Sequence, residues 1–441
     1  MADAHVHDLG DLDPSDTTLL GDRGADLARM HRLGLPVSPA FVVDAEACRV
    51  YRHQGGALPD GLADAVRAAV ARLESLTGKA FAAAHGRPLL LSVRSGISMP
   101  GTMDTVDTHD HLLAAIRAVF ASWDSRRATA YRRQHDIPDD PGTAVVVQAM
   151  VIDSGGSSGS GVAHTRDPKT GNNVLCGEFP ADSRPDWAAT IAELEAHGRR
   201  LEREYTDALD IEFTVEDDAV YLLGVRAAKR TAAAAVRIAL DLVDEGLIDP
   251  ATALRRLTAE HVRALLTPVF TADGLAAAEA AGALLTGIGA APGHAVGIAV
   301  LDADRAAARA GAGEDVILVR PTTGPQDLPG MLVSRAVVTA RGGATSHAAV
   351  VCRSVHKPCV CGCTGLEVDP GAGVFGVDGA KYDEGTWLSV DGATGRVYAG
   401  QLPLGVPEAS LTDLARFAAW SEQHPVSEEL GAALREAGAA G

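Results

Sequence analysis

Cysteine, positive charge and long apolar runs are all scarce in this chain of 441 residues. Six cysteines in so long a chain predict reduced thiols rather than a disulfide framework, and therefore a cytoplasmic location. Acidic residues outnumber basic ones by 58 to 39, and the formal net charge of -19 argues against nucleic acid or an anionic membrane as a partner. Residues 1–16 have neither the basic start nor the apolar core of a secretion signal, and no apolar run approaches the length that spans a bilayer.

Three of the cysteines form one cluster, Cys359-x-Cys361-x-Cys363. A metal is one explanation, but the spacing lacks the paired turns of zinc sites. Alternation by two also fits a buried strand, in which cysteine behaves as a small apolar side chain. The spacing favours the strand and leaves a metal site as the lesser alternative.

Length and the distribution of apolar residues predict two or three domains of α/β type, because one hydrophobic core rarely organises so long a chain. Residues 1–231 alternate helical stretches with short apolar strands, and residues 232–284 have the composition of two or three linking helices. Residues 285–402 repeat short strands around one helix, and residues 403–441 predict a tail of one or two exposed helices. The clearest predicted strands are Pro88–Val93, Ala144–Met150, Val220–Val225, Val296–Leu301, Val316–Val319, Ala336–Thr339, Cys359–Cys361 and Trp387–Val390, and the predicted helix is Ser346–Arg353.

A histidine follows an apolar strand and a glycine-rich loop in the segment 339–351. Its two glycines permit the close approach of a bulky anion, and Thr345 or Ser346 can cap a helix that begins near His347. The first-turn amides of that helix favour negative charge, including that of a phosphorylated imidazole. A packed or capping histidine is the alternative and is the usual role of a single histidine. The surrounding residues favour His347 as a nucleophile.

The ten residues Gly342-Gly343-Ala344-Thr345-Ser346-His347-Ala348-Ala349-Val350-Val351 resemble the phosphohistidine signature of the phosphoenolpyruvate (PEP)-utilising enzymes. They are most similar to the signature of pyruvate phosphate dikinase, in which a serine precedes the histidine as Ser346 does here. The resemblance implies that His347 carries a phosphoryl group on a swivelling domain. The first residues of that domain in the family are similar to Gly289-Ala290-Ala291-Pro292-Gly293. It also implies that Thr345 corresponds to the threonine that a regulatory kinase modifies in some members.

Two further segments look like parts of the family's ATP-grasp nucleotide-binding domain. Arg23 lies in Leu20-Gly21-Asp22-Arg23-Gly24, where the family usually has lysine, and either cation can neutralise nucleotide phosphates. Arg94 ends an apolar strand before a loop that resembles the family's phosphate-binding loop. The loop residues expected to surround the β and γ phosphates of ATP are Gly101, Thr102, Met103 and Asp104. A solvated arginine and an ordinary turn are the alternatives.

Asp210 and Glu212 alternate along a predicted strand, so their carboxylates share one face of it. Such a pair beside a triphosphate suits Mg²⁺, which binds oxygen ligands and retains water. The resemblance implies that Glu212 is the metal ligand and that Arg226 contacts a phosphate. A solvated strand face is the alternative.

Three departures from the family pattern concern the nucleotide domain. Gly224 stands where the dikinases carry a glutamine that helps to hold metal and nucleotide. After Val106 the chain passes almost directly into a stretch that full-length dikinases reach only after a sizeable insert. The segment 179–185 is also shorter than its counterpart in the family.

The resemblance extends from about Leu19 to Gly400 and implies a multidomain α/β fold. The expected domains are a shortened ATP-grasp-like domain (1–231), a helical linker (232–284), a phosphohistidine domain (285–402) and a helical tail (403–441). We expect an ATP-dependent phosphotransferase that phosphorylates His347 from Mg·ATP and passes the group to a small molecule or a separate acceptor-binding protein. The rival hypothesis, motivated by the departures, is a catalytically weak nucleotide-binding or regulatory paralogue. The tail is too short for the family's PEP/pyruvate barrel, although it could dock or form a homo-oligomer.

Overall fold

The computed structural model describes residues 5–82, 88–96, 103–134, 138, 142–150, 159–179, 187–216 and 219–440. The chain divides into two compact units, Met1–Ala253 and Leu254–Gly441, and the division falls inside a helix, Pro250–Arg256. Both units combine helices with sheets, which confirms the predicted multidomain α/β class. The four-part division made from the sequence stays a prediction.

The first unit, in the residues that the structure describes, forms two antiparallel sheets and a short strand pair. Its strands are β1 (Val6–Asp8), β2 (Ala40–Val43), β3 (Ala80–Phe81), β4 (Pro88–Leu89), β5 (Leu91–Ser95), β6 (Met103–Val106), β7 (Val145–Ala149), β8 (Gly159–His164), β9 (Cys176–Glu178), β10 (Leu209–Glu216) and β11 (Ala219–Ala227). In the described residues one sheet has the order β1-β2-β7-β5-β6 and the other β11-β10-β8-β9, while β3 and β4 form a short parallel pair.

Helices pack on both faces of the first sheet and on the apolar face of the second. They are α1 (Thr17–Arg32), α2 (Ala45–His53), α3 (Leu62–Thr77), α4 (His109–Ser122), α5 (Arg126–Gln134), α6 (Trp187–Tyr205), α7 (Ala232–Asp244) and α8 (Pro250–Arg256), and Leu9–Asp11 forms a 3₁₀ turn. Val66, Val70 and Leu73 of α3 recur at helical spacing and belong to the same core as Val93 and Val147 of the first sheet. Leu194 and Leu201 of α6 share a second core with the odd-numbered residues of β10, so the even-numbered residues face away from that core.

The second unit is built on a mixed sheet with the order β13-β23-β22-β15-β16-β17-β18-β14 in the described residues. Its strands are β12 (Val269–Phe270), β13 (Leu285–Thr286), β14 (Ile288–Ala291), β15 (His294–Val300), β16 (Val316–Arg320), β17 (Ala336–Thr339), β18 (Cys359–Cys361), β19 (Leu366–Asp369), β20 (Val374–Val377), β21 (Ala380–Asp383), β22 (Trp387–Asp391), β23 (Arg396–Ala399) and β24 (Leu404–Gly405). The four central strands β15 to β18 are parallel, and β19, β20 and β21 form a separate antiparallel sheet. The carboxyl ends of the parallel strands therefore meet at one edge.

The helices of the second unit are α9 (Ala259–Leu266), α10 (Ala272–Ala281), α11 (Ala303–Gly311), α12 (Leu328–Val333), α13 (His347–Ser354), α14 (Glu408–Ser421) and α15 (Glu428–Ala440), with a 3₁₀ turn at Pro325–Asp327. Cys359 and Cys361 are fully buried with Ala349 and Cys352 of α13, which confirms the strand predicted from the alternating cysteines. Within the described ranges no helix is both long and apolar enough to cross a membrane.

The predicted strands and the helix after Ser346 are all present, with ends that differ by a few residues. The region expected to hold two or three linking helices instead contains α7 to α10 and a short strand. Ala234, Ile238 and Leu242 of α7 pack against Ala208 and Ala228 of the first unit. The two tail helices are only partly exposed, because they pack on each other and on α9. Composition predicted these helices, but not the surfaces that they bury.

Candidate functional site

Asp210 and Glu212 lie on the face of β10 opposite the apolar core, as their alternation predicted. Strand register places His164 of β8 and Arg226 of β11 on either side of Asp210. His164 Nδ1 lies 2.6 Å from Asp210 Oδ1, and Arg226 Nε lies 3.1 Å from Asp210 Oδ2. Both oxygens of a carboxylate that is only 3 % exposed are thus engaged.

Glu212 is more exposed than Asp210 and has looser contacts. Its side chain is 33 % exposed, and its oxygens lie 3.6 Å from Arg94 Nη1 and 3.8 Å from Arg226 Nη1. Both distances are longer than a hydrogen bond. Gly224 is its register neighbour on β11, and a Cβ there would lie 3.6 Å from Glu212 Oε2. The carboxylate of Glu212 is therefore the more accessible oxygen donor of the pair.

Arg23 approaches the same carboxylate from the start of α1. Burial lowers the pKa of the Arg23 guanidinium, and the positive charges of Arg94 and Arg226 lower it further. The negative charge of Glu212 acts in the opposite direction. Three arginines thus gather beside two carboxylates in a chain of net charge -19. A local excess of positive charge of this kind suits an anion such as a polyphosphate.

A glycine contact sets the position of Arg23. Gly21 interrupts α1 with φ +66° and ψ 166°, and a Cβ on it would lie 2.5 Å from the carbonyl of Gly96. The backbone N–H of Arg23 donates to that carbonyl at 2.9 Å. Only glycine permits two backbones to approach so closely at this φ and ψ. The helix start is thereby joined to the end of β5, which carries Arg94.

The donor set at β10 fits Mg²⁺ held jointly by protein and ligand. Among the described residues no group of three or more His, Cys, Asp or Glu side chains is arranged to hold a metal ion. Mg²⁺ in nucleotide sites commonly has one or two carboxylates as protein ligands and takes its remaining oxygens from phosphates and water. A cleft of about 570 Å³ opens beside Glu212 and is lined further by Glu178, Phe179 and Leu223. Its size is in the range of small-molecule sites.

The phosphate loop predicted after Arg94 falls largely outside the described residues. Gly101 and Thr102 are among the residues outside them. Met103 and Asp104 begin β6, and their backbone pairs with Arg94 and Val93 of β5. Their assignment to a phosphate loop therefore stays a prediction.

His347 is the first residue of α13, and Ser346 is its N-cap. The Ser346 hydroxyl accepts a hydrogen bond from Ala349 N at 3.4 Å, while Thr345 is exposed. Gly342 has φ +129° and lies so close to the Ser346 side chain that a Cβ would come within 3.0 Å of it. The loop therefore directs His347 to the carboxyl edge of the parallel strands, next to the first-turn amides of its own helix.

Thr323 contacts His347 from the neighbouring loop. Its Oγ1 lies 3.2 Å from His347 Nδ1. The two loops are joined because Arg341 N donates to Pro321 O at 3.0 Å, at the end of the paired strands β16 and β17. In the tautomer whose Nδ1–H donates to the Thr323 hydroxyl, the lone pair of the neutral imidazole lies on Nε2, which is then the nitrogen suited to nucleophilic attack.

Buried thiols lie next to Ser346, the N-cap residue of α13. Cys361 Sγ lies 3.5 Å from Ser346 Oγ and 3.5 Å from Cys359 Sγ. Donation from the Cys359 thiol, and secondarily from Ser346, lowers the pKa of Cys361. The predicted strand of cysteines therefore supports the N-cap residue next to His347.

Sequence reasoning missed two residues of these sites, His164 and Thr323. His164 ends the strand Ser160-Gly161-Val162-Ala163-His164, and only the pairing of β8 with β10 places it beside Asp210. Thr323 follows the predicted strand Val316–Val319 by a few residues. A hydroxyl residue just beyond the carboxyl end of a parallel strand was the available signal for Thr323.

Two family models match the chain, one in each of the segments that carry these sites. Residues 55–179 match "Pyruvate phosphate dikinase, AMP/ATP-binding domain", and residues 312–395 match "PEP-utilising enzyme, mobile domain". The second match contains His347 and Thr323. These two segments therefore belong to domain families of pyruvate phosphate dikinase and the PEP-utilising enzymes, and the predicted combination of a nucleotide-binding domain with the family's mobile domain is confirmed.

Two relatives show how far the similarity extends. The chain is 36 % identical to pyruvate, phosphate dikinase 2 of Oryza sativa subsp. japonica, over 92 % of this chain and 58 % of the rice protein. It is 34 % identical to pyruvate, phosphate dikinase of Clostridium symbiosum, over 92 % of this chain and 59 % of that protein. The chain thus covers less than two thirds of the length of either relative. The alignments span 516 and 519 positions, more than the 441 residues of the chain, so the relatives carry insertions that it lacks.

Solved structures give only weak overall matches. D-alanine–D-alanine ligase from Bacillus anthracis has a TM-score of 0.29 at 13 % identity, over 54 % of this chain and 68 % of the ligase. Cdc123 from Schizosaccharomyces pombe has a TM-score of 0.28 at 11 % identity, over 49 % of this chain and 86 % of Cdc123.

Proposed function

We propose that this chain is an ATP-dependent phosphotransferase that transfers a phosphoryl group from Mg·ATP to His347 and then to an acceptor. The observation that carries the proposal is the contact of Thr323 Oγ1 with His347 Nδ1, because a hydroxyl that accepts from Nδ1–H leaves the lone pair on Nε2, next to a helix N-terminus. The match to an AMP/ATP-binding domain supports ATP as the phosphoryl donor.

In the nucleotide site, Glu212 holds Mg²⁺, and Arg23, Arg94 and Arg226 neutralise the phosphates. Glu212 takes the metal because both oxygens of Asp210 are already engaged. The bound metal supplies charge neutralisation for the phosphates. The loop residues Gly101, Thr102, Met103 and Asp104 cover the β and γ phosphates by resemblance to the family.

At the second site, Ser346 fixes the start of α13, and its amides favour the negative charge of phosphohistidine. Transfer requires His347 to reach first the nucleotide and later the acceptor, so we propose that the phosphohistidine domain moves between them. The acceptor is a small molecule or is carried by a separate protein. Thr345, which is exposed, is the candidate for regulatory phosphorylation.

The test is to incubate the chain with Mg²⁺ and ATP labelled separately at the β or the γ phosphorus. We expect an acid-labile, base-stable label from one position and its complete loss in His347→Asn. Glu212→Ala should weaken Mg·ATP binding because it removes an oxygen ligand of the metal. Thr323→Val should slow labelling about tenfold, because it removes one hydrogen bond to the imidazole, whereas Thr323→Ser should not.

The folded state of each variant is checked by its melting temperature. If neither the β nor the γ position gave label with any of the divalent metals tried, the proposed transfer would be overturned. Persistence of the label in His347→Asn would instead show that another residue is phosphorylated.

A further inference from the structure

Asp210 lies between donors on two neighbouring strands, His164 on β8 and Arg226 on β11. We propose that His164 is a positioning residue of the nucleotide site, which holds Asp210 so that Arg226 stays directed at the phosphates of a magnesium–nucleotide ligand. The proposal rests on the proposed function and adds to it a residue that neither the sequence motifs nor the family matches assign.

The bond from His164 to Asp210 has a defined direction. An ionised carboxylate only accepts hydrogen bonds, so His164 Nδ1 carries the hydrogen and donates it across 2.6 Å. This separation is slightly shorter than the usual range for N–H bonds to a charged acceptor. Asp210 is 3 % exposed, so water has little access to replace the donor.

The second oxygen of Asp210 binds Arg226 through Nε alone at 3.1 Å, while Arg226 Nη1 extends towards Glu212 at 3.8 Å. A guanidinium prefers a two-point pair with a carboxylate where geometry permits. His164 prevents that pair by occupying Oδ1. If His164 lost its donor, Asp210 could turn and bind Arg226 at two points, which would withdraw the guanidinium from the ligand.

The neighbouring register positions supply no substitute for His164. Glu212 lies between Val162 of β8 and Gly224 of β11, and neither has a polar side chain. The orientation of Arg226 therefore depends on Asp210, and that of Asp210 depends on His164. Because His164 is itself 24 % exposed, its effect on binding need not come from a loss of core packing.

The experiment measures binding of the Mg²⁺ complex of β,γ-imido-ATP to the full chain by titration calorimetry. His164→Leu should weaken binding about tenfold, as expected for one lost bond to a charged group, and His164→Asn, which keeps a donor, should recover most of it. In an Asp210→Asn background the same His164→Leu change should alter binding less than twofold. In the labelling assay the KM for Mg·ATP should rise in His164→Leu while the rate at saturation changes less than twofold.

His111→Leu is the matched control, because His111 Nδ1 also contacts a carboxylate, Asp107, at 3.0 Å but on an exposed surface of the same unit. It should bind like the wild type. The proposal is overturned if His164→Leu binds within twofold of wild type, if His164→Asn gives no recovery, or if the loss is equally large with Asp210→Asn. If the wild type binds no nucleotide, the proposed function fails and this inference fails with it.

Discussion

Asp26 shows how burial affects a single carboxylate in the first unit. Its side chain is 20 % exposed, accepts a hydrogen bond from Tyr205 Oη at 2.6 Å and lies 3.7 Å from Arg29 Nη1. Burial outweighs both contacts and raises the pKa of Asp26 from 3.8 to about 6. A carboxyl with a raised pKa binds its proton more tightly in the folded protein than in the unfolded chain. Its contribution to stability is therefore complete below pH 4 and is lost as the pH rises through 6.

Asp26→Asn should remove this pH dependence, because the amide does not titrate. As the pH is raised from 5 to 8, the free energy of unfolding of the variant should increase by about 1 kcal/mol relative to that of the wild type. Urea unfolding of both proteins at the two pH values measures the difference. Asp60 is exposed, so Asp60→Asn is the control substitution. If the difference in free energy of unfolding between Asp26→Asn and the wild type were the same at both pH values, the assignment would be contradicted.

Helix α1 has a glycine with positive φ near its start and another just beyond its end. Gly21 has φ +66° and faces the carbonyl of Gly96, whereas Gly34 has φ +64° and has no atom within 4 Å of where its Cβ would lie. Both substitutions by alanine carry the cost of a left-handed backbone. Only Gly21→Ala adds a backbone clash. The pair therefore separates conformational cost from close approach.

Gly34→Ala should lower the free energy of unfolding by about 1 kcal/mol, and Gly21→Ala by about 3 kcal/mol or more. Gly21→Ala should also weaken binding of Mg·ATP, because Arg23 and the end of β5 are joined at this contact. Urea unfolding and calorimetry report the two effects. Equal losses of stability in the two variants would show that the contact with Gly96 contributes nothing.

Across the whole chain, the two groups of site residues lie in different compact units, with the arginine and carboxylate cluster in the first and His347 in the second. The described residues contain no (β/α)₈ barrel of the kind that could enclose pyruvate. Forming PEP also requires a site that stabilises the enolate of pyruvate and holds its oxygen against phosphohistidine. Self-phosphorylation and PEP synthesis should therefore be separable.

We expect these 441 residues, purified alone, to label themselves from ATP but not to convert pyruvate to PEP. An assay of PEP with ATP, phosphate, Mg²⁺ and pyruvate makes the comparison, with His347→Asn as the control. Adding a protein that carries a pyruvate-binding barrel should restore synthesis. Sustained, His347-dependent production by the chain alone would show that its own residues form a pyruvate site.

Much of the architecture could be predicted from local patterns. Alternation along β10 and β18 fixed which residues share a face, and the loop before His347 marked a helix start, because both depend on neighbours in sequence. The linker helices and the tail were predicted with less success. Which face α7, α14 or α15 buries depends on surfaces that are distant in sequence.

The sequence by itself determined the family, the identity of His347 as the candidate nucleophile, and the candidate phosphate and metal groups at Arg94, Glu212 and Arg226. Only the tertiary structure decided how these groups are held. Cross-strand register placed His164 against Asp210, and parallel packing of β16 and β17 brought Thr323 to His347. These partners are separated by 46 and 24 residues in the chain, so no local pattern specifies that they meet. They meet because backbone hydrogen bonds fix the register of the strands that carry or precede them.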